Sequence, residues 1–175
     1  MTRALRVGSA CEVPFVVAAR PGVARFDPRT FRWQGVPAAA YKEQTAGPLA
    51  WRGVERFVLM GGPQAKAAFE LRYFEIAPGG YSSWERHAHA HAIVVVRGRG
   101  RVRLGRRVVR VRPLDFLFIP AGTPHQFRAD GEPFGFLCPV DAVRDAPRPA
   151  ARLRALRRRA TMRRRAGSPR AGRRA

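Results

Sequence analysis

The sequence predicts an all-β fold, a sandwich or small barrel, on three observations. Short apolar runs recur at close and even spacing from residue 69 to residue 140. Turn formers separate them at nearly every step, with 17 Gly and 15 Pro distributed along 175 residues. Several runs alternate apolar residues with arginine, the period of two that marks a half-buried strand rather than a helix. A chain of this length can bury one core without disulfides or a structural metal.

Residues 1 to about 55 read as an irregular arm of short strands and loops laid over the main body, because Pro21, Pro28, Pro37 and Pro48 interrupt each apolar run. Near the start, Val13-Pro-Phe-Val-Val-Ala-Ala is short, follows Glu12 and contains Pro14, which argues against a signal peptide. No stretch approaches the ~20 apolar residues of a membrane span. The expectation is a soluble cytoplasmic protein with no membrane contact. From Glu55 onward, Phe57 and Leu59, then Phe69, Leu71 and Tyr73 alternating with Glu70 and Arg72, read as half-buried strands, with Met60-Gly-Gly-Pro as the turn between them.

After the pair Gly79-Gly80, strands are expected at 81–87, 91–96, 100–104, 107–111, 116–119, 126–128 and 134–140. The turns Arg97-Gly-Arg-Gly, Gly105-Arg, Arg112-Pro and Asp130-Gly divide them. Val102, Leu104, Val109 and Val111 alternate with Arg101, Arg103, Arg110 and Arg112, so these arginines are assigned to a solvated face rather than an anion-binding stripe. The organisation read from these patterns is an arm over 1–55, a barrel over 56–146 and a basic low-complexity tail over 147–175. The tail is rich in Arg, Ala, Pro and Gly, and its charge favours disorder, although 150–165 has the composition of a helix.

The formal charge of +22 raises nucleic acid as a partner, and its distribution weakens that idea. Thirteen Arg and one Asp lie beyond residue 141, leaving +10 for the rest of the chain. Lys42 and Lys66 are the two lysines, and the arginine bias is what a GC-rich coding sequence produces without selection for binding. Aromatic residues are absent after Phe136, so the tail has nothing to stack on bases. Cys11 and Cys138 are too few for a disulfide framework and read as reduced, buried thiols.

All four histidines fall in two short segments: His87, His89 and His91 in Trp84-Glu-Arg-His-Ala-His-Ala-His, and His125 after Ile119-Pro-Ala-Gly-Thr-Pro. Neutral imidazole is the commonest protein ligand for transition metals, so this grouping is the strongest functional signal in the chain. Residues 79–98 and 114–125 resemble the two conserved motifs of the cupin superfamily. In the first, glycine, five residues, His, one residue, His, three or four residues, Glu, six residues and glycine are matched in spacing by Gly79, Glu85, His87, His91 and Gly98, with Glu and His exchanged at two ligand positions. In the second, Leu114 replaces the usual glycine while Pro120, Gly122 and His125 keep their places. The flanking segments also resemble a subgroup of small single-barrel cupins of unassigned function.

The resemblance implies a double-stranded β-helix (jelly-roll) barrel, with the irregular arm and basic tail appended. It also implies one divalent transition metal, Fe, Mn, Ni, Zn or Cu, held by Glu85, His87, His91 and His125. On one straight strand residues 87 and 91 would lie ~13 Å apart, so the chain must bend between them if both bind. His89 then stands at the bend. A competing set takes His87, His89 and His125, and Arg72 or Arg86 could instead pair with Glu85. Tyr73, Gln126 and Cys138 are candidates for lining the site, each with a plain packing or strand-edge alternative. The implied function is a metalloenzyme acting on a small organic molecule, with dioxygenase-type oxidation placed first and isomerase or lyase chemistry second. The alternative is a non-catalytic metal- or ligand-binding sensor module, and family resemblance also suggests a homodimer.

Overall fold

The structure is a computed structural model that describes residues 22–42, 47, 49–61, 65, 67–141 and 148–149. Cys11, the apolar segment after Glu12 and nearly all of the expected tail, including its helix-like stretch, lie outside the described residues. Among those residues no helix is long and apolar enough to cross a membrane.

Two short strands, β1 (Phe26–Asp27) and β2 (Arg32–Trp33), form a small hairpin. The remaining strands join one curled antiparallel sheet of eleven. In chain order these are β3 (Ala38–Ala40), β4 (Arg52–Met60), β5 (Glu70–Tyr81), β6 (Glu85–Arg86), β7 (His91–Arg97), β8 (Gly100–Leu104), β9 (Arg107–Val111), β10 (Phe116–Ile119), β11 (His125–Ala129), β12 (Phe134–Val140) and β13 (Arg148–Pro149). One layer runs β3-β4-β5-β12-β7-β10 and the other β9-β8-β11-β6-β13. They join where Tyr81, the last residue of β5, pairs with Arg128 of β11. This is an open jelly roll.

Strand β5 does not stop at the glycine pair as the sequence reading expects. Gly79 takes φ +68, its N–H donates to the Asp130 carbonyl at 3.0 Å, and the strand bends through it from one layer into the other. A β-carbon on Gly80 would lie 2.6 Å from the Arg52 carbonyl oxygen.

The core between the layers is built from every second residue of the inner strands: Ile76, Ile93, Val95, Val102, Ile119, Phe127, Phe134 and Phe136 are buried there. A second, smaller core lies on the outer face of β4 and β5. There Val36, Phe57 and the fully buried Tyr73 pack with Phe31, Trp33 and Leu59, so the arm covers the sheet face turned away from the main core. The arm is pinned by Glu75, whose carboxylate accepts hydrogen bonds from both Nη atoms of Arg32 at 3.1 Å, from Arg97 Nη1 at 2.6 Å and from the Tyr73 hydroxyl at 2.7 Å. Burial pulls the Glu75 carboxyl up, but these donors outweigh it and hold it below the usual carboxylate range. Arg101, Arg103, Arg110 and Arg112 are exposed, as their alternation requires.

Candidate metal centre

The segment from β6 to β7 makes the bend that the spacing demands. Strand β6 ends at Arg86, β7 begins at His91, and residues 88 and 89 turn the chain between them. His125 opens β11 directly opposite Glu85 of β6, and the Gly122 N–H donates to the His87 carbonyl at 2.7 Å, tying the second histidine segment to the first.

Three of the expected ligands meet: one ring nitrogen from each of His87, His91 and His125 lies within 4.8 Å of the others, and all three residues are buried. Ring centroids are 4.9 Å apart for His87 and His91, 5.4 Å for His87 and His125, and 4.7 Å for His91 and His125. His89 is buried beside them, its ring 4.6 Å from that of His91, but it falls outside the three-nitrogen group.

The outer nitrogens orient the rings. His125 Nδ1 faces the Thr123 carbonyl at 2.9 Å, a contact that directs Nε2 inward. His91 Nδ1 faces Cys138 Sγ at 3.5 Å, and its Nε2 is buried with no hydrogen-bond partner. A buried ring nitrogen without a partner is costly in a protein interior, and a cation on its lone pair removes the cost. Burial, together with the charge of the neighbouring histidines, pushes His91 down to about 2; burial takes His125 down to about 4 despite the Thr123 contact. Both rings are therefore neutral, the form that binds metal. On orphaned atom and protonation state alike, the cluster fits a divalent ion.

Glu85 lies at the edge of the cluster, with Oε1 3.3 Å from His87 Nε2. Its carboxylate accepts from the Ser83 hydroxyl at 2.8 Å and the Tyr41 hydroxyl at 3.2 Å and is ion-paired with Lys42. Burial would raise its pKa, but the His87 hydrogen bond and the Lys42 ammonium bring it down to about 2, so it is ionised. The partner of Glu85 is thus Lys42, while Arg72 bonds Glu70 instead.

A cavity of about 200 Å³ opens beside these residues. Its walls are Tyr41, Val54, Phe74, Ile93, Phe136 and Val140, and its polar lining comprises the three histidines, Glu85, Cys138, Lys42, Arg56 and Arg72. Of the three lining candidates from sequence, Cys138 is at the cavity. Gln126 instead donates to the Ser82 carbonyl at 2.9 Å, its strand-edge alternative, and Tyr73 lies in the second core on the opposite face of β5. Lys42 and Arg56 were missed. Lys42 carried a usable signal, being one of two lysines in a chain whose positive charge is otherwise arginine.

A family model described as a cupin domain matches residues 72–140. The 1-methylthio-D-xylulose 5-phosphate methylsulfurylase of Rhodospirillum rubrum is 48% identical over 118 residues, covering 67% of this chain and 73% of that protein. A crystal structure of a cupin-2 domain from Rhodospirillum rubrum shares 44% identity over 81% of this chain and 91% of its own, with a TM-score of 0.63. A cupin 2 conserved barrel domain protein from Rhodopseudomonas palustris shares 39% identity over 78% of this chain and 93% of its own, with a TM-score of 0.67.

Proposed function

The chain belongs to the cupin superfamily, and from that premise we propose that it is a metal-dependent enzyme that removes a methylthio group from a small ketose phosphate, as the name of its Rhodospirillum rubrum relative describes. The observation that carries this reading is the position of Cys138. Its sulfur lies 3.5 Å from His91 Nδ1, in the same cavity as the three-histidine cluster.

His87, His91 and His125 would hold one divalent ion, with Glu85 as the fourth ligand beside His87. Such an ion acts as a Lewis acid toward a carbonyl oxygen. The ketose named for the relative carries its methylthio group on C1, next to the C2 carbonyl. A Cys138 thiolate attacking the methylthio sulfur forms an S–S bond and breaks the C1–S bond, and the electron pair passes to C1 as the enolate of the ketone. C1 then takes a proton, giving the 1-deoxy sugar phosphate. The carbon is reduced and the two sulfurs are oxidised to a disulfide, which a small thiol co-reactant opens, returning Cys138 and leaving as its methyl disulfide. Phe74, Phe136 and Ile93 keep this sulfur chemistry in an apolar enclosure.

Oxygen-dependent oxidation and isomerase or lyase chemistry are the competing readings, and a barrel that binds without turnover is a third. One experiment separates them. Metal-loaded protein incubated under argon with 1-methylthioxylulose 5-phosphate and dithiothreitol is expected to yield the 1-deoxy product by mass spectrometry. Cys138→Ser is expected to lose this activity by a factor on the order of 10³ or more while keeping its metal, and His91→Ala to lose the metal as well. A requirement for oxygen, or full activity in Cys138→Ser, would overturn the proposal.

A further inference from the structure

Three cationic side chains line the cavity: Lys42, Arg56 and Arg72. Two of them face a carboxylate. Lys42 pairs with Glu85, and Arg72 meets Glu70 through Nε at 2.7 Å and Nη2 at 2.6 Å. Among the described residues Arg56 meets no carboxylate, and its Nε is buried without a hydrogen-bond partner. An orphaned guanidinium N–H is expensive to bury, and an acceptor brought into the cavity by a ligand would remove that cost.

The strand register shows where that ligand would lie. Arg56 stands opposite Phe74 on β5, and Arg72 stands opposite Val58 on β4, so the two guanidinium groups are diagonal neighbours on one face of the sheet. Arg72 is in turn opposite Cys138 on β12, whose sulfur touches the His91 ring. Across β4, β5, β12 and β7 the order is therefore guanidinium, guanidinium, thiol, imidazole.

We infer that Arg56, assisted by Arg72, is the anion-recognition end of this cavity and takes the phosphate of a substrate whose reacting carbon faces Cys138 and the histidines. The substrate rests on the reading proposed above; the anion site does not. A guanidinium offers a planar fork that matches two phosphate oxygens, and Arg56 brings to the cavity a cation that neither Glu85 nor Glu70 neutralises. The stacked aromatic side chains of Phe74, opposite Arg56, and Phe136 line the same cavity and limit screening by water. Holding the phosphate at Arg56 fixes the register of the carbon chain, so the thiol meets the sulfur carried on C1.

The test is calorimetric titration of inorganic phosphate into the metal-loaded full chain at constant ionic strength, comparing the wild type with Arg56→Gln, Arg56→Lys and the exposed β9 control Arg110→Gln. The expected result is one site in the wild type, about ten- to a hundredfold weaker binding in Arg56→Gln, an intermediate loss in Arg56→Lys and no change in Arg110→Gln. Unchanged metal content in Arg56→Gln shows that the barrel is intact. Phosphate binding that survives Arg56→Gln, or that falls equally in Arg110→Gln, overturns the site. Methylthio release with an unaltered KM in Arg56→Gln overturns it too and leaves the reaction standing; phosphate lost with Arg56 from a protein that releases no methylthio group overturns the reaction and leaves the site.

Discussion

His91 and His125 are neutral because they are buried, and this makes the ligand-ready state a burden on the fold in acid. Free histidine titrates near 6.5, whereas His125 is held at about 4 and His91 at about 2. Between pH 6.5 and 4 the unfolded chain takes up protons that the folded chain refuses, so the stability of metal-free protein falls as pH falls. For His125 alone the full window amounts to about 3 kcal/mol. Glu85 and Glu75, whose pKa values are lowered, contribute stability that is present above the ordinary carboxylate range and lost on further acidification. The imidazole effect is therefore read between pH 7 and pH 5. Chelator-treated wild type is expected to lose melting temperature across that interval, and His125→Gln to lose less. Equal slopes for the two proteins would show that the buried neutral ring is not the cause. The residue pattern made the histidines legible, since four in two segments is a sequence fact. It did not reveal Lys42 and Tyr41, which reach Glu85 from more than forty positions away and are brought there only by the path of the arm.

At the scale of the strand, one position departs from the family's second motif and the structure shows the consequence. Leu114 stands where that motif usually has glycine, and it adopts φ +72 with 84% of its surface exposed. Arg112, Pro113, Leu114 and Asp115 form a turn closed by the Asp115 N–H on the Arg112 carbonyl at 3.1 Å, with proline at its second position and a left-handed residue at its third. A leucine pays a steric cost there that glycine does not, on the order of 1 kcal/mol. Leu114→Gly is expected to raise the melting temperature by a few degrees without changing metal content; a decrease would mean that the side chain makes contacts that outweigh the strain. The strands themselves were largely legible, because turn residues punctuate them and β7 to β10 and β12 fall within a residue of their expected bounds. The phase of β5 was not. Alternation suggests Leu71 and Tyr73 inward and Arg72 outward, yet Arg72 and Phe74 face the cavity while Tyr73 faces the arm. When both faces of a strand are covered, polar and apolar no longer mean outside and inside, and the cations at the site were hidden by that ambiguity.

At the scale of the whole molecule, the charge and the fold make separable contributions, and the last strand among the described residues marks where to separate them. More than half of the +22 lies beyond residue 141. The backbone of β13 pairs with β6, placing Arg148 opposite Arg86 and Pro149 opposite Glu85, so this short strand borders the one that carries the carboxylate beside the histidine cluster. A chain ending after Pro149 keeps that pairing and sheds eleven of the thirteen arginines that lie beyond residue 141. A chain ending at Asp141 also loses β13 and leaves one edge of β6 without its partner. The shorter truncation is expected to keep the metal content and the wild-type melting temperature while releasing from heparin at much lower salt, because salt-sensitive attraction to polyanions scales with the number of arginines. The longer truncation is expected to release from heparin at similarly low salt and, in addition, to bind metal more weakly, since Glu85 then sits on a two-residue strand paired on one side by His125 alone. Elemental analysis and melting curves on the two truncations decide the matter. Equal metal content in both would mean that β13 contributes nothing to the site, and loss of metal from both would mean that the basic segment beyond Pro149 supports the barrel as well as its charge.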